Sequence, residues 1–174
     1  MVRVVTLLAL LGAPSTPGET PLEFRCDGME VLSSPNRTIC RGNVVARQSH
    51  LTLCCDHFEA SADAQWQWTS LRCIDGVRAA KGDERMWAQQ AEINLLESTI
   101  TLTGQPWLER GTSLLQGDQI VVTLAGDHAT IRKPRGLVVD PKRHAAPSKP
   151  RLSVSEPLPK TCPIAAAPTQ KSSP

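Results

Sequence analysis

The chain has 174 residues, 40% of them apolar and only 3% aromatic, with no Tyr and a formal charge of +2. That length and apolar content fit one domain with a core. The charge is uneven: residues 1–140 carry 13 Lys or Arg against 16 Asp or Glu, while residues 141–174 carry six against one. The body is therefore not a basic nucleic-acid surface, and no nucleic-acid partner is expected.

Residues 1–20 read as an export segment. Met1-Val2-Arg3 precedes an apolar run from Val4 to Leu11, and the small residues Gly12-Ala13-Pro14-Ser15 follow. This is the pattern of a secretory signal, and the run is too short to span a bilayer. No Cys follows closely enough to suggest lipid attachment.

From residue 22 to about 140 one phrase recurs. Gly42-Asn43-Val44-Val45-Ala46 returns as Gly76-Val77-Arg78-Ala79 and as Gly104-Gln105-Pro106-Trp107-Leu108, and Gly136-Leu137-Val138-Val139 begins a fourth copy. About fourteen residues after each of the first three comes an acidic residue among apolar ones, in Cys55-Asp56-His57-Phe58, Ala91-Glu92-Ile93 and Gly117-Asp118-Gln119-Ile120. A period of roughly 30 residues belongs to repeat architectures. It predicts stacked strands on a shared core, not a single active site.

Taken along the chain, Ile39–Arg47 and Leu51–Ala60 predict a hairpin turning at Gln48-Ser49-His50. Ile74–Ala80 and Met86–Leu96 predict a second, turning at Lys81-Gly82-Asp83-Glu84. Arg85–Leu96 also carries a helical face of Met86, Gln89, Gln90 and Ile93. The alternation of Ala91, Ile93 and Leu95 and the register of the repeat favour strand. Thr99–Thr103 alternates polar and apolar residues, Gly104 interrupts it as a bend, and Gln105–Arg110 continue as a strand with Trp107 offered to the core. Gly111-Thr112-Ser113 is a turn and Leu114–Gln116 a short strand. Gln119–Leu124 puts Ile120, Val122 and Leu124 on one face, and Ala125–His128 supplies turn chemistry before Ala129–Arg132. The fold class is all-β. Residues 141–174, rich in Pro, Ser, Lys and Ala, read as a disordered tail.

Six cysteines suit an oxidising compartment. Cys54 and Cys55 point to opposite faces if they share a strand. Cys40–Cys55 and Cys26–Cys73 are possible pairings, and sequence leaves the connectivity open. Cys54-Cys55-Asp56-His57 is the one cluster that tempts a chemical reading. No Cys-x-x-Cys accompanies it, and His50, His57, His128 and His144 are scattered, so no metal site is expected. Neighbours in one strand do not aim a base at a thiol, so a cysteine nucleophile is the weaker reading. Trp66 and Trp68 would share a strand face, as the edge of a core or as a carbohydrate or lipid platform. Asp75-Gly76, Gly82-Asp83, Gly117-Asp118 and Gly126-Asp127 are turn residues. No phosphate loop, dinucleotide fingerprint or nucleophile elbow is present.

Ile39-Cys40-Arg41-Gly42-Asn43-Val44-Val45-Ala46-Arg47-Gln48 followed by Leu51-Thr52-Leu53-Cys54-Cys55-Asp56-His57-Phe58 resembles the OstA-like, or LptA-like, family of periplasmic lipopolysaccharide-transport proteins. Leu102-Thr103-Gly104-Gln105-Pro106 with Leu115-Gln116-Gly117-Asp118-Gln119-Ile120 repeats the likeness, which spans residues 22–140. The resemblance implies a β-jellyroll of two antiparallel sheets in a slightly open V, with lipid A acyl chains held between them. It implies a periplasmic location, no catalytic residues, no cofactor, partners among other transport proteins joined by edge strands, and head-to-tail homo-oligomers. Val44, Leu53, Phe58, Ile93, Leu102, Trp107, Ile120 and Val122 are the candidates for lipid binding in the groove or core. The alternative is a non-catalytic structural module whose apolar face is closed by its own side chains and whose edge strands bind partner proteins.

Overall fold

The computed structural model describes residues 21–139 and 158–167. The proposed export segment and the rest of the expected tail lie outside the described residues. Among the described residues, twelve strands form one antiparallel sheet: β1 (Glu23–Arg25), β2 (Gly28–Ser33), β3 (Asn36–Gln48), β4 (Leu51–Ala62), β5 (Trp68–Lys81), β6 (Glu84–Asn94), β7 (Thr99–Thr103), β8 (Trp107–Arg110), β9 (Ser113–Gln116), β10 (Gln119–Thr123), β11 (Ala129–Arg132) and β12 (Arg135–Val139). Arg85–Leu96, with its helical face, is strand from Glu84 to Asn94, because β5 and β7 hold it on both sides.

The repeated glycines fold this sheet in two. Each interrupts the ladder with a two-against-one bulge, which bends a strand and raises its twist. Gly42-Asn43 in β3 face Asp56 alone in β4, and Asp56 faces Asp75-Gly76 in β5. Asp75-Gly76 in turn face Gln89 alone in β6. Gly104-Gln105, between β7 and β8, continue the row, with the Gln89 amide donating to the Gly104 carbonyl at 3.1 Å. All six residues of the three doublets have positive φ. Glycine is required where a side chain lies over the bulge: a Cβ on Gly42 would meet Asp27 Oδ2 at 2.6 Å, and one on Gly104 would meet Gln89 Cβ at 2.6 Å.

The row divides the sheet into two arms of eight strand segments. The first runs β2, the N-terminal part of β3, the C-terminal part of β4, the N-terminal part of β5, the C-terminal part of β6, then β7, β10 and β11. The second runs β1, the other halves of β3 to β6, then β8, β9 and β12. The inner faces of both arms meet in one apolar cluster. Alternation keeps its parity through a doublet, as in Cys40, Val44 and Ala46 of β3. It shifts by one at a single-residue position, as between Cys55 and Phe58 of β4 or between Met86 and Ala91 of β6. The result is the two-sheet, V-shaped β-jellyroll implied by the resemblance, with the stacked strands on a shared core that the repeat predicted.

Candidate functional site

The inner surface of the V is built by period 2. Val44, Leu53, Phe58, Ile93, Leu102, Ile120 and Val122 all belong to its cluster, each no more than 2% exposed. Phe58 sits at its centre, in register with Cys40 on one side and Cys73 on the other, and its ring centroid lies 5.9 Å from that of Phe24. Leu22, Phe24, Trp68, Leu95, Leu115, Leu124 and Ile131 pack around the cluster and reach the surface.

The structure places Trp107 elsewhere. Alternation through Ile100 and Leu102 arrives at Leu108, which is fully buried, and leaves Trp107 on the outer face opposite Trp87. The size of the indole suggested the core, but the pleat decided otherwise. Trp66 and Trp68 do not share a strand face either. Trp66 stands exposed in the turn after β4, where Asp63 Oδ1 accepts from the amides of Gln65 and Gln67, and Trp68 opens β5 against the cluster.

The cysteine pairing differs from both possibilities raised above. Cys26 bonds to Cys40, Cys55 to Cys73, and Cys54 to Cys162. Cys40 and Cys55 lie on opposite sides of the bulge row and face Phe58 and Val44 respectively, so they are not opposed. Cys26 and Cys73 are separated by β3 and β4, about three strand spacings or ~14 Å, well beyond disulfide reach. Cys40 and Cys73 lie on the first arm, whereas Cys55 lies on the second and Cys26 directly follows β1. Both inner disulfides therefore straddle the bend. Cys54 and Cys55 do point to opposite faces, Cys55 into the cluster and Cys54 outward. With both bonded, neither offers a thiol, and His57 hydrogen-bonds Glu59 at 3.1 Å instead.

Residues 158–167, part of the tail expected over residues 141–174, form a strap. This strap crosses the outer face of the second arm. Ile164 is 2% exposed against Val45, Cys54 and Ala80. Arg78 Nη1 donates to the Ile164 carbonyl at 3.1 Å, and Trp87 Nε1 donates to the Ala165 carbonyl at 2.9 Å. Ala166 and Ala167 then border a cavity of about 510 Å3 with Trp87, Gln89, Gln105 and Trp107. The strap is what sequence reading missed; its signal was Cys162, which makes the cysteine count even.

At the far end of the bend Asp118 accepts a short hydrogen bond from Arg135 and faces Lys133 Nζ at 3.4 Å. The Arg135 hydrogen bond, helped by the two positive charges and opposed by desolvation, holds the carboxyl below the usual aspartate range. A depressed folded value gives stability that is present above the unfolded value and is lost as pH falls through the folded one. The Asp118 carboxyl carbon is expected to titrate below its value in the unfolded chain by NMR, and Asp118→Asn to remove that part of the acid dependence of unfolding. A midpoint at or above the unfolded value would refute the pairing.

Among the described residues, no three His, Cys, Asp or Glu side chains converge as metal ligands, and no helix is long and apolar enough to cross a membrane. What the geometry defines is a folded antiparallel sheet with an apolar interior, a fixed bend and lateral edges that no other described strand pairs. Residues 25–127 match the family model of the LptA/(LptD N-terminal domain) LPS transport protein. The chain belongs to that family of lipopolysaccharide-transport proteins. Its fold is similar to that in the crystal structure of LptH from Pseudomonas aeruginosa, described as the LptA-homologous periplasmic component of the conserved lipopolysaccharide transport device. The TM-score is 0.63 at 15% sequence identity, over 70% of this chain and 96% of that one. No curated protein sequence matches the chain.

Proposed function

We infer that the chain is a periplasmic carrier that holds lipopolysaccharide by its lipid A acyl chains between the two arms and passes it along copies or relatives joined edge to edge. The observation that carries this reading is an inner surface apolar on both arms and continuous with Leu115 on β9 and Ile131 on β11, which are only partly buried. Each methylene moved from water to such a surface contributes about 0.8 kcal/mol. Acyl chains would enter where the arms end, beside these partly buried side chains.

Two features support edge pairing. Each arm has eight segments and every pairing is antiparallel, so a copy related by translation presents β1 and β2 antiparallel to β12 and β11. Edge strand β2 also leaves Met29 and Val31 exposed, at 61% and 54%, an apolar surface of the kind that marks an interface. A second reading, a structural module with a closed interior, is favoured by the near-zero exposure of the central side chains.

A photoreactive phenylalanine analogue at Leu115 or Ile131 is expected to cross-link lipopolysaccharide, and the same analogue on the outer face at Trp107 is not. Cross-links from Trp107 alone, or none together with no lipid A species bound to the purified protein by native mass spectrometry, would favour the closed module.

A further inference from the structure

The outer face of the second arm is a receiving surface for an extended peptide. The strap crosses it from β1 inward. Arg25 Nη1 on β1 donates to the Leu158 carbonyl at 3.5 Å, Cys54 on β4 bonds Cys162, Arg78 on β5 holds Ile164, and Trp87 on β6 holds Ala165. Beyond them Trp107 on β8 shares its cavity with Ala166 and Ala167. Three side-chain donors read backbone carbonyls, an apolar site takes Ile164, and a thiol locks the register.

The strap begins at the edge farthest from the strand that leads to it. The chain leaves this arm at β12, while the crossing starts at β1, seven strand spacings or ~34 Å away. The link of residues 140–157, about 18 residues, can span ~60 Å when extended, so return to its own copy is permitted. In a stack joined edge to edge, however, the β1 of the next copy lies one spacing, ~5 Å, beyond β12. The same link then reaches the neighbour's receiving surface over a far shorter path, and a shorter span raises the effective concentration of the tethered segment.

We propose that in stacked copies the strap is passed forward: residues 158–167 of one copy lie on the second arm of the next, and Cys162 of the first bonds Cys54 of the second. This rests on the edge-to-edge stacking inferred above. The occupant is a second copy of this chain, and the product is a covalently linked row. Closing each link joins two thiols into one disulfide. Their two electrons and two protons pass to a disulfide oxidant, such as oxidised glutathione, which leaves as two thiols.

The test mixes two full-length variants. Cys54→Ser keeps the strap thiol without its acceptor, and Cys162→Ser keeps the acceptor without the strap thiol. With oxidised glutathione, the mixture is expected to give a band of twice the chain mass on a non-reducing gel, with a Cys54–Cys162 peptide by mass spectrometry, and neither variant alone gives that peptide. Sedimentation of the wild-type protein reports stacking separately. Stacks without this cross-link overturn strap passing and leave the stacking reading intact; absence of both stacks and cross-link overturns the two together. Should a variant fail to fold by circular dichroism, wild-type chains labelled with heavy and light nitrogen are reduced, mixed and re-oxidised together. Hybrid Cys54–Cys162 peptides then support the proposal, and exclusively unmixed ones refute it.

Discussion

Phe58→Ala is expected to lower the free energy of unfolding by about 3–5 kcal/mol, as urea denaturation would measure. Phe58 is fully buried between the strands carrying Cys40 and Cys73, and its ring packs on Phe24. Truncation removes transfer energy and also opens a void, because the two inner disulfides prevent the bend from collapsing onto it. Trp107→Ala provides the contrast: its side chain is larger but lies on the partly exposed outer face, so its loss should be clearly smaller. Equal losses at the two positions would mean that the inner surface has been assigned to the wrong face of the sheet.

The second large effect concerns the bend. Cys55 and Cys73 stand 18 residues apart with their Cα atoms at 5.8 Å. Closing a loop of that size contributes about 3 kcal/mol through the unfolded chain. Replacing both with Ala is therefore expected to lower the melting temperature by roughly 10–15 °C in calorimetry. The bond also joins the second arm at Cys55 to the first at Cys73, so the doubly substituted chain should open more readily and bind lipopolysaccharide faster. A melting temperature within about 2 °C of the wild type would show that the bulge row and the core hold the bend without this disulfide.

Most of the fold was legible because its determinants are local. The alternations Ile120-Val122 and Ile100-Leu102, the turn at Gly82-Asp83 and the recurring glycines each state a strand, a hairpin or a bend within a few residues. Val44, Leu53, Leu102, Ile120 and Val122 follow from local alternation, while Phe58 and Ile93 lie beyond the single-residue positions where parity shifts. Trp107 falls off that alternation, one residue before the buried Leu108, and so stands on the outer face. The disulfides and the strap were not legible, since both depend on which strands become neighbours and on which face a distant segment returns to. Ile164 gives no local sign that it will fill the space between Val45 and Ala80. The partners of Asp27 and Gln89 at the bend were hidden for the same reason: each lies over a glycine of the adjacent strand.

The bulge row also makes the sequence a ruler. Because every bend must lie level with its neighbours, the distance between successive bends is one trip out along an arm and back. In the second arm the legs Val44–Gln48, Leu51–Cys55 and Val77–Lys81 are each five residues long, a depth of ~17 Å. The spacing of about fourteen residues is thus the depth of the arm written along the chain. Two residues added to every leg of an arm would deepen it by ~7 Å and keep each side chain facing its own side. One residue added to a single leg would turn that leg inside out.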